Sequence, residues 1–125
     1  MNIYTDNLID NYTNPRNYGV MHESDTSSEA ENVSCGDLIK MQIKIKGGKL
    51  KRIKFTGEGC AVAIACSSIL TEHITNKSIA YAKRFSYKNL EKIIGIEFTS
   101  SRIKCANLGL EALKSSLKLL TKKDS

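Results

Sequence analysis

The sequence predicts an α+β domain in which a small sheet comes first and helices follow. Two changes of period carry that expectation. Ile39, Met41, Ile43 and Ile45 alternate with Lys40, Gln42, Lys44 and Lys46, the period of two of a half-buried strand. Beyond Gly57 the period becomes helical, and Leu110, Leu113, Leu117 and Leu120 recur at i, i+3, i+7 and i+10. Strands grouped ahead of helices are the pattern of an α+β fold. A chain of 125 residues is expected to form one domain, 1–125, large enough to bury its own core.

In chain order, Tyr4 to Tyr12 carries Leu8, Ile9 and Tyr12 at helical spacing and predicts a short amphipathic helix. It must end near Asn14-Pro15, because the residue before proline is pushed out of the α region. Arg16 to Asn32 is polar, holds Gly19 and a Ser/Thr/Glu cluster, and is expected to be a mobile loop, so that 1–34 is one helix and a loop. The strand starting near Ile39 meets Gly47-Gly48, a strong hairpin signal. The return strand, Lys49 to Thr56, sets Ile53 and Phe55 on one face, with Leu50 out of phase. A helix from about Cys60 to Ile74 is expected to turn Val62, Ala65 and Ile69 inward. At least one helix follows within Ala80 to Ile94, around Lys88 to Ile94, and Gly95 breaks it. The last helix is expected to start near Cys105 and to fray over 121–125. No internal repeat is visible.

Charge is uneven along the chain. Residues 1–37 carry a net −6 and residues 38–125 a net +12. A basic remainder suits nucleic acid, an acidic partner or an anionic metal centre. The nucleic-acid reading is the weakest, because the lysines of 40–54 alternate with apolar residues and no dense basic run has interleaved aromatics. No segment resembles a signal peptide or reaches the roughly 18 apolar residues of a membrane span, so the expected location is cytoplasmic. Cysteines there stay reduced, and four of them argue for metal or sulfur chemistry over disulfides.

Three of the four stand in unusual surroundings. Gly57-Glu58-Gly59 delivers Cys60 to an expected helix start, where unpaired N–H groups favour the thiolate, the form that binds metals and attacks sulfur. The two glycines leave room for another group to approach closely. A lone cysteine in such a turn is ordinarily buried and inert; Cys35 and Cys105 alter that expectation. Cys35 and Asp37 flank Gly36 at the mouth of the first strand, and an extended backbone would point both side chains one way. Cys105 is expected at a second helix N-terminus. Three thiolates and a carboxylate make a donor set adequate for tetrahedral zinc or for a two-iron, two-sulfide cluster. Carboxylate is the harder ligand and should hold either centre less tightly, as suits a site that releases its cargo. Spacing alone is weak evidence, since 24 and 44 residues separate Cys35, Cys60 and Cys105. Asp37 in isolation would pass for a turn or cap residue. Cys66 lies about 240° around the helix from Cys60 and is expected to be a small core residue. His22 belongs to the polar loop, and His73 near a helix end suits the dipole there.

These residues resemble those of the iron–sulfur scaffold family known as IscU or the NifU N-terminal domain, with its SufU branch. The resemblance spans nearly the whole chain. Tyr12-Thr13-Asn14-Pro15-Arg16-Asn17-Tyr18-Gly19, Cys35-Gly36-Asp37, Gly57-Glu58-Gly59-Cys60-Ala61 with Ser67-Ser68, and Cys105 ahead of a leucine- and alanine-rich stretch match its motifs in order. The resemblance implies a small, mostly antiparallel sheet packed by helices, with Cys35, Cys60 and Cys105 converging at one exposed end. It implies cysteines that take sulfur from a cysteine desulfurase and hold a transient [2Fe-2S] cluster or a zinc ion. Asp37 matches an aspartate that joins the zinc site and tunes release, and Cys105 is the expected persulfide acceptor.

Departures from the family bear on the branch. Lys104 stands where the IscU branch has histidine, which is similar to SufU, and would steady an anionic persulfide or cluster if it is more than a solvated lysine. The SufU branch carries an insertion between its second and third cysteines that 44 residues leave little room for. Phe98-Thr99-Ser100-Ser101-Arg102 lacks the prolines of the segment that recruits a dedicated Hsp70 chaperone, so that partner is not expected. Three functions compete: a scaffold passing clusters to apo-proteins, a zinc-dependent sulfurtransferase relay, and a structural-zinc module. A scaffold or carrier is favoured over a catalyst. Only the structural-zinc module should unfold when its metal is removed.

Overall fold

The computed structural model describes residues 5–123. It is an α+β fold of three strands and six helices in the order α1 (Asp6–Thr13), β1 (Thr26–Asn32), β2 (Asp37–Lys46), β3 (Lys49–Glu58), α2 (Ala61–Ile74), α3 (Ile79–Arg84), α4 (Tyr87–Ile94), α5 (Ser100–Ala106) and α6 (Leu108–Lys123). The sheet is antiparallel throughout, in the order β1-β2-β3. No helix among the described residues is long and apolar enough to cross a membrane.

The hairpin forms as its alternation requires. Gly47 and Gly48 take φ of 61° and 73°, the left-handed pair of a tight two-residue turn. Ile39, Met41, Ile43, Ile53 and Phe55 are buried on the inner face of the sheet. Leu50 joins them through a bulge: Lys44 pairs with Arg52 but Ile45 pairs with Leu50, leaving Lys51 as an extra residue on β3. That bulge is why Leu50 falls out of phase in the sequence.

Helix α2 is the centre of the molecule. Every residue from Val62 to Thr71 is buried, including Ser67, Ser68 and Thr71, so the expected one-sided helix is corrected to one covered all round. The sheet and α6 lie against it, and α1 packs on its far side. The α3–α4 region contains two short helices, each capped by a serine, Ser78 and Ser86. Gly95 ends α4 at φ 83° as expected.

The N-terminal segment needs two further corrections. Residues 26–32, expected to be part of a mobile loop, form strand β1 paired with β2 from Thr26↔Ile43 to Asn32↔Asp37. Its sequence, Thr-Ser-Ser-Glu-Ala-Glu-Asn, has little intrinsic strand preference; pairing with β2 and packing under α6 impose the strand. Helix α1 begins with Thr5 as its cap and buries Leu8 and Asn11, while Ile9 and Tyr12 stay about half exposed. The buried polar residue is explained by α2. The Ser68 hydroxyl donates to Asn11 Oδ1 at 2.6 Å and accepts from the Arg16 N–H at 2.8 Å, and Asn17 Nδ2 donates to Thr71 Oγ1 at 3.2 Å. At the other end, α6 runs to Lys123 through residues expected to fray, and the last two residues lie outside those described.

Candidate metal centre

Three loops meet at one end of the sheet. The first is the turn 33–36 between β1 and β2, where the Cys35 and Gly36 N–H groups both donate to the Asn32 carbonyl, at 3.2 and 2.8 Å. Gly36 has φ 73°, so the backbone is not extended there; a turn, and not strand alternation, brings Cys35 towards Asp37. Cys35 is exposed in this turn. Asp37 opens β2 on the inner face and is 1% exposed.

The second loop explains how a carboxylate is held at such depth. Gly59 takes φ 134°, and a β-carbon there would collide with the Asp37 carboxylate. Its absence lets Asp37 reach the start of α2, where the Cys60 N–H donates to Oδ1 at 3.0 Å and Cys60 Sγ lies 3.7 Å from Oδ2. Cys60 is the N-cap of α2 with no side-chain cap bond, which leaves its thiol directed at the carboxylate. The expected placement at a helix N-terminus holds for this cysteine.

It does not hold for Cys105. That residue lies in the last turn of α5, near the negative end of the helix dipole, because α5 and α6 are separate helices joined at Asn107. Cys105 is 5% exposed. Burial, with hydrogen bonds to Asp37 and Cys60, raises its thiol pKa to about 12. The free protein therefore holds Cys105 as a neutral thiol, and a metal or another electrophile must displace its proton.

The ligand atoms of Cys35, Asp37 and Cys105 all lie within 4.8 Å of one another. Ligands of tetrahedral zinc bound at about 2.3 Å stand roughly 3.7 Å apart, so a slight contraction would enclose an ion. Cys60 is not one of these three, but its Sγ lies 3.7 Å from Asp37 Oδ2. Three soft sulfurs and one oxygen fit zinc or an iron–sulfur cargo and are a poor match for magnesium or calcium.

The remaining sequence candidates separate from this group. Cys66 is buried in the core and its thiol is pushed far up, chiefly by burial. Lys104 is exposed, next to the buried Cys105 in sequence and about 100° around the helix from it. His22 is exposed in its loop. His73 departs from its expected dipole role: Nε2 lies 2.9 Å from Tyr81 Oη, its ring packs on Phe85, and burial with nearby Lys77 lowers its pKa and favours the neutral form. Val33, which sequence reasoning passed over, is 82% exposed at the mouth of the site. The available signal was an apolar residue in an Asn-Val-Ser-Cys turn that no alternation assigns to a core.

The NifU-like N-terminal domain family model matches residues 3–125. The iron–sulfur cluster assembly scaffold protein IscU of Aquifex aeolicus is 35% identical, over 92% of this chain and 74% of its own length. The zinc-dependent sulfurtransferase SufU of Bacillus subtilis is 33% identical, over 92% of this chain and 89% of its own. Among solved structures, a SUF-system scaffold from Fervidobacterium islandicum superposes with a TM-score of 0.76 at 23% identity, covering 92% of this chain and 96% of that one. A NifU-like N-terminal protein from Brucella abortus gives 0.78 at 15% identity, covering 97% and 96%. With a three-stranded antiparallel sheet, helices on its inner face and a Cys-Asp cluster at one end, this chain belongs to the NifU-like N-terminal domain family.

Proposed function

We propose that this protein is an iron–sulfur cluster assembly scaffold, which receives sulfur from a cysteine desulfurase, builds a [2Fe-2S] cluster on Cys35, Cys60, Cys105 and Asp37, and passes it to apo-proteins. The observation that supports this most is the convergence of Cys35, Asp37 and Cys105 within 4.8 Å, with Cys60 against the same carboxylate. In sulfur transfer, a cysteine thiolate attacks the outer sulfur of the desulfurase persulfide; a new S–S bond forms and the desulfurase cysteine leaves as thiolate. Cys105 is the proposed acceptor. Its proton ends on the departing desulfurase thiolate, and the last turn of α5 must open to admit the donor. Cys35 is the competing acceptor, because it is exposed without any motion. The exposed Lys104, next to Cys105 in sequence, supplies positive charge for the anionic persulfide or cluster.

The test is anaerobic reconstitution of zinc-depleted protein with ferrous iron, cysteine and a cysteine desulfurase, followed by visible absorption and then by addition of an apo-ferredoxin. A [2Fe-2S] chromophore is expected on the wild type, lost in Cys35→Ala, Cys60→Ala and Cys105→Ala, and transferred to ferredoxin. Mass spectrometry of the sulfur-loaded protein before iron is added assigns the acceptor, with Cys105 expected and Cys35 the alternative.

A second reading, zinc-dependent sulfur relay, is favoured by the SufU relative and by Lys104 at the position preceding Cys105. There the same four residues would hold zinc, and one cysteine would leave it to take sulfur. About one zinc per chain that accelerates the desulfurase, with no chromophore on reconstitution, would replace the scaffold reading with this one.

A further inference from the structure

We propose that the hairpin end of the sheet, at the pole opposite the cysteines, is a docking surface for an acidic protein. Cross-strand partners share a face of the sheet, and on the outer face Lys44 stands opposite Arg52 and Lys46 opposite Lys49. Like charges so placed repel and weaken the sheet they belong to. Nothing nearby offsets them in full. The strands carry seven bases and no acid between Asp37 and Glu58. Lys44 has Asp25 at 3.8 Å, but Lys46, Lys49, Lys51 and Arg52 are exposed and make no ion pair among the described residues. Glu23 shares a hollow with Lys44 and Arg52 without reaching ion-pair distance of either. Lys77 extends the patch: the Leu50 N–H donates to its carbonyl, and its Nζ lies 5.4 Å from the centre of the Tyr81 ring. A sheet that tolerates two consecutive repelling pairs at its solvent face has been shaped by something other than its own stability.

The geometry selects the partner. The hairpin tip is no free arm for a nucleic-acid groove. The Ile79 N–H donates to the Gly48 carbonyl and the Asn76 N–H to the Leu50 carbonyl, which fastens the tip to the loop before α3. The patch offers no unpaired aromatic ring to stack on a base, and its Gly-Gly tip carries nothing to bury in a lipid layer. What remains is a broad cationic surface matched to carboxylates. Nine strand steps from Asp37 to Lys46 place it about 30 Å from the metal-binding end. A partner docked there leaves the cysteines open to a second protein.

A labelled poly-L-glutamate peptide serves as the probe, with binding followed by fluorescence anisotropy. The triple variant Lys46→Glu/Lys49→Glu/Arg52→Glu is expected to weaken binding at least about tenfold. The triple Lys88→Glu/Lys92→Glu/Lys118→Glu, equal in net charge and exposed on α4 and α6, should change it by less than about twofold. Equal losses in the two triples would reduce the effect to net charge and overturn the proposal. So would a DNA duplex that binds as tightly through the same three residues. The single variant Lys46→Glu, which sets an opposite charge across from Lys49, should raise Tm while weakening the peptide; a lowered Tm would sink the claim that the patch costs stability.

Discussion

The hairpin and the N-terminal segment both pack on α2 and are attached to it by different means. The hairpin is held by apolar residues at every second position, from Ile39 to Phe55, and their burial is proportional to area and indifferent to direction. The segment from Thr5 to Asn17 buries Leu8 but is otherwise fixed by directed bonds between Asn11, Arg16 and Asn17 and the hydroxyls of Ser68 and Thr71, and by the Phe55 N–H donating to the Asn17 carbonyl. Apolar attachment tolerates small shifts. Polar attachment fails as a set, because removing one partner leaves the others buried and unsatisfied.

Substitutions can break or sharpen this contrast. Phe55→Ala should cost about 3–5 kcal/mol in urea denaturation, spread over the whole fold. Ser68→Ala strands Asn11 Oδ1 and the Arg16 N–H and should cost about 1–3 kcal/mol. Its loss should be local, with amide exchange accelerated in 6–17 and at Phe55, whose N–H donates to the Asn17 carbonyl, and unchanged in the rest of the hairpin; global acceleration would erase the distinction between the regions. Gly59→Ala extends the comparison to the candidate metal centre, where a β-carbon displaces Asp37 and should lower zinc affinity about 10–100-fold in competition with a chelator. The smallest effect is one of pH. Cys105 stays protonated in the folded protein up to about pH 12, whereas an unfolded cysteine loses its proton near pH 9. The unfolded state thus binds fewer protons between those limits, and the metal-free protein should lose stability as pH rises above about 9. Cys66, whose thiol burial pushes up further, acts in the same direction, so Cys105→Ala should reduce that loss only in part.

The same contrast explains what the sequence made legible. Ile39 to Ile45, Gly47-Gly48 and Leu110 to Leu117 carry period and turn chemistry in their own composition, and those elements form where expected. β1 does not, since Ser27, Ser28, Glu29 and Glu31 become a strand only through β2 and α6. Asn11 and Ser68 meet across 57 residues, and no local pattern announces such a pair. At the candidate metal centre the glycine before Cys60 signalled a close approach, and Asp37 proved to be the group approached. The break between α5 and α6 was not visible, because Asn107 is an ordinary helix residue by propensity, and so the depth of Cys105 was missed.

The four candidate ligands come from three segments, with 24 residues between Cys35 and Cys60 and 44 between Cys60 and Cys105. An unfolded or half-synthesised polypeptide would have to close loops of 24 and 44 residues to gather them, at an entropic cost that folding alone offsets. A nascent chain therefore lacks the pocket until Cys105 and the helix after it have been translated. Products truncated before Cys105 should bind no zinc in competition with a chelator.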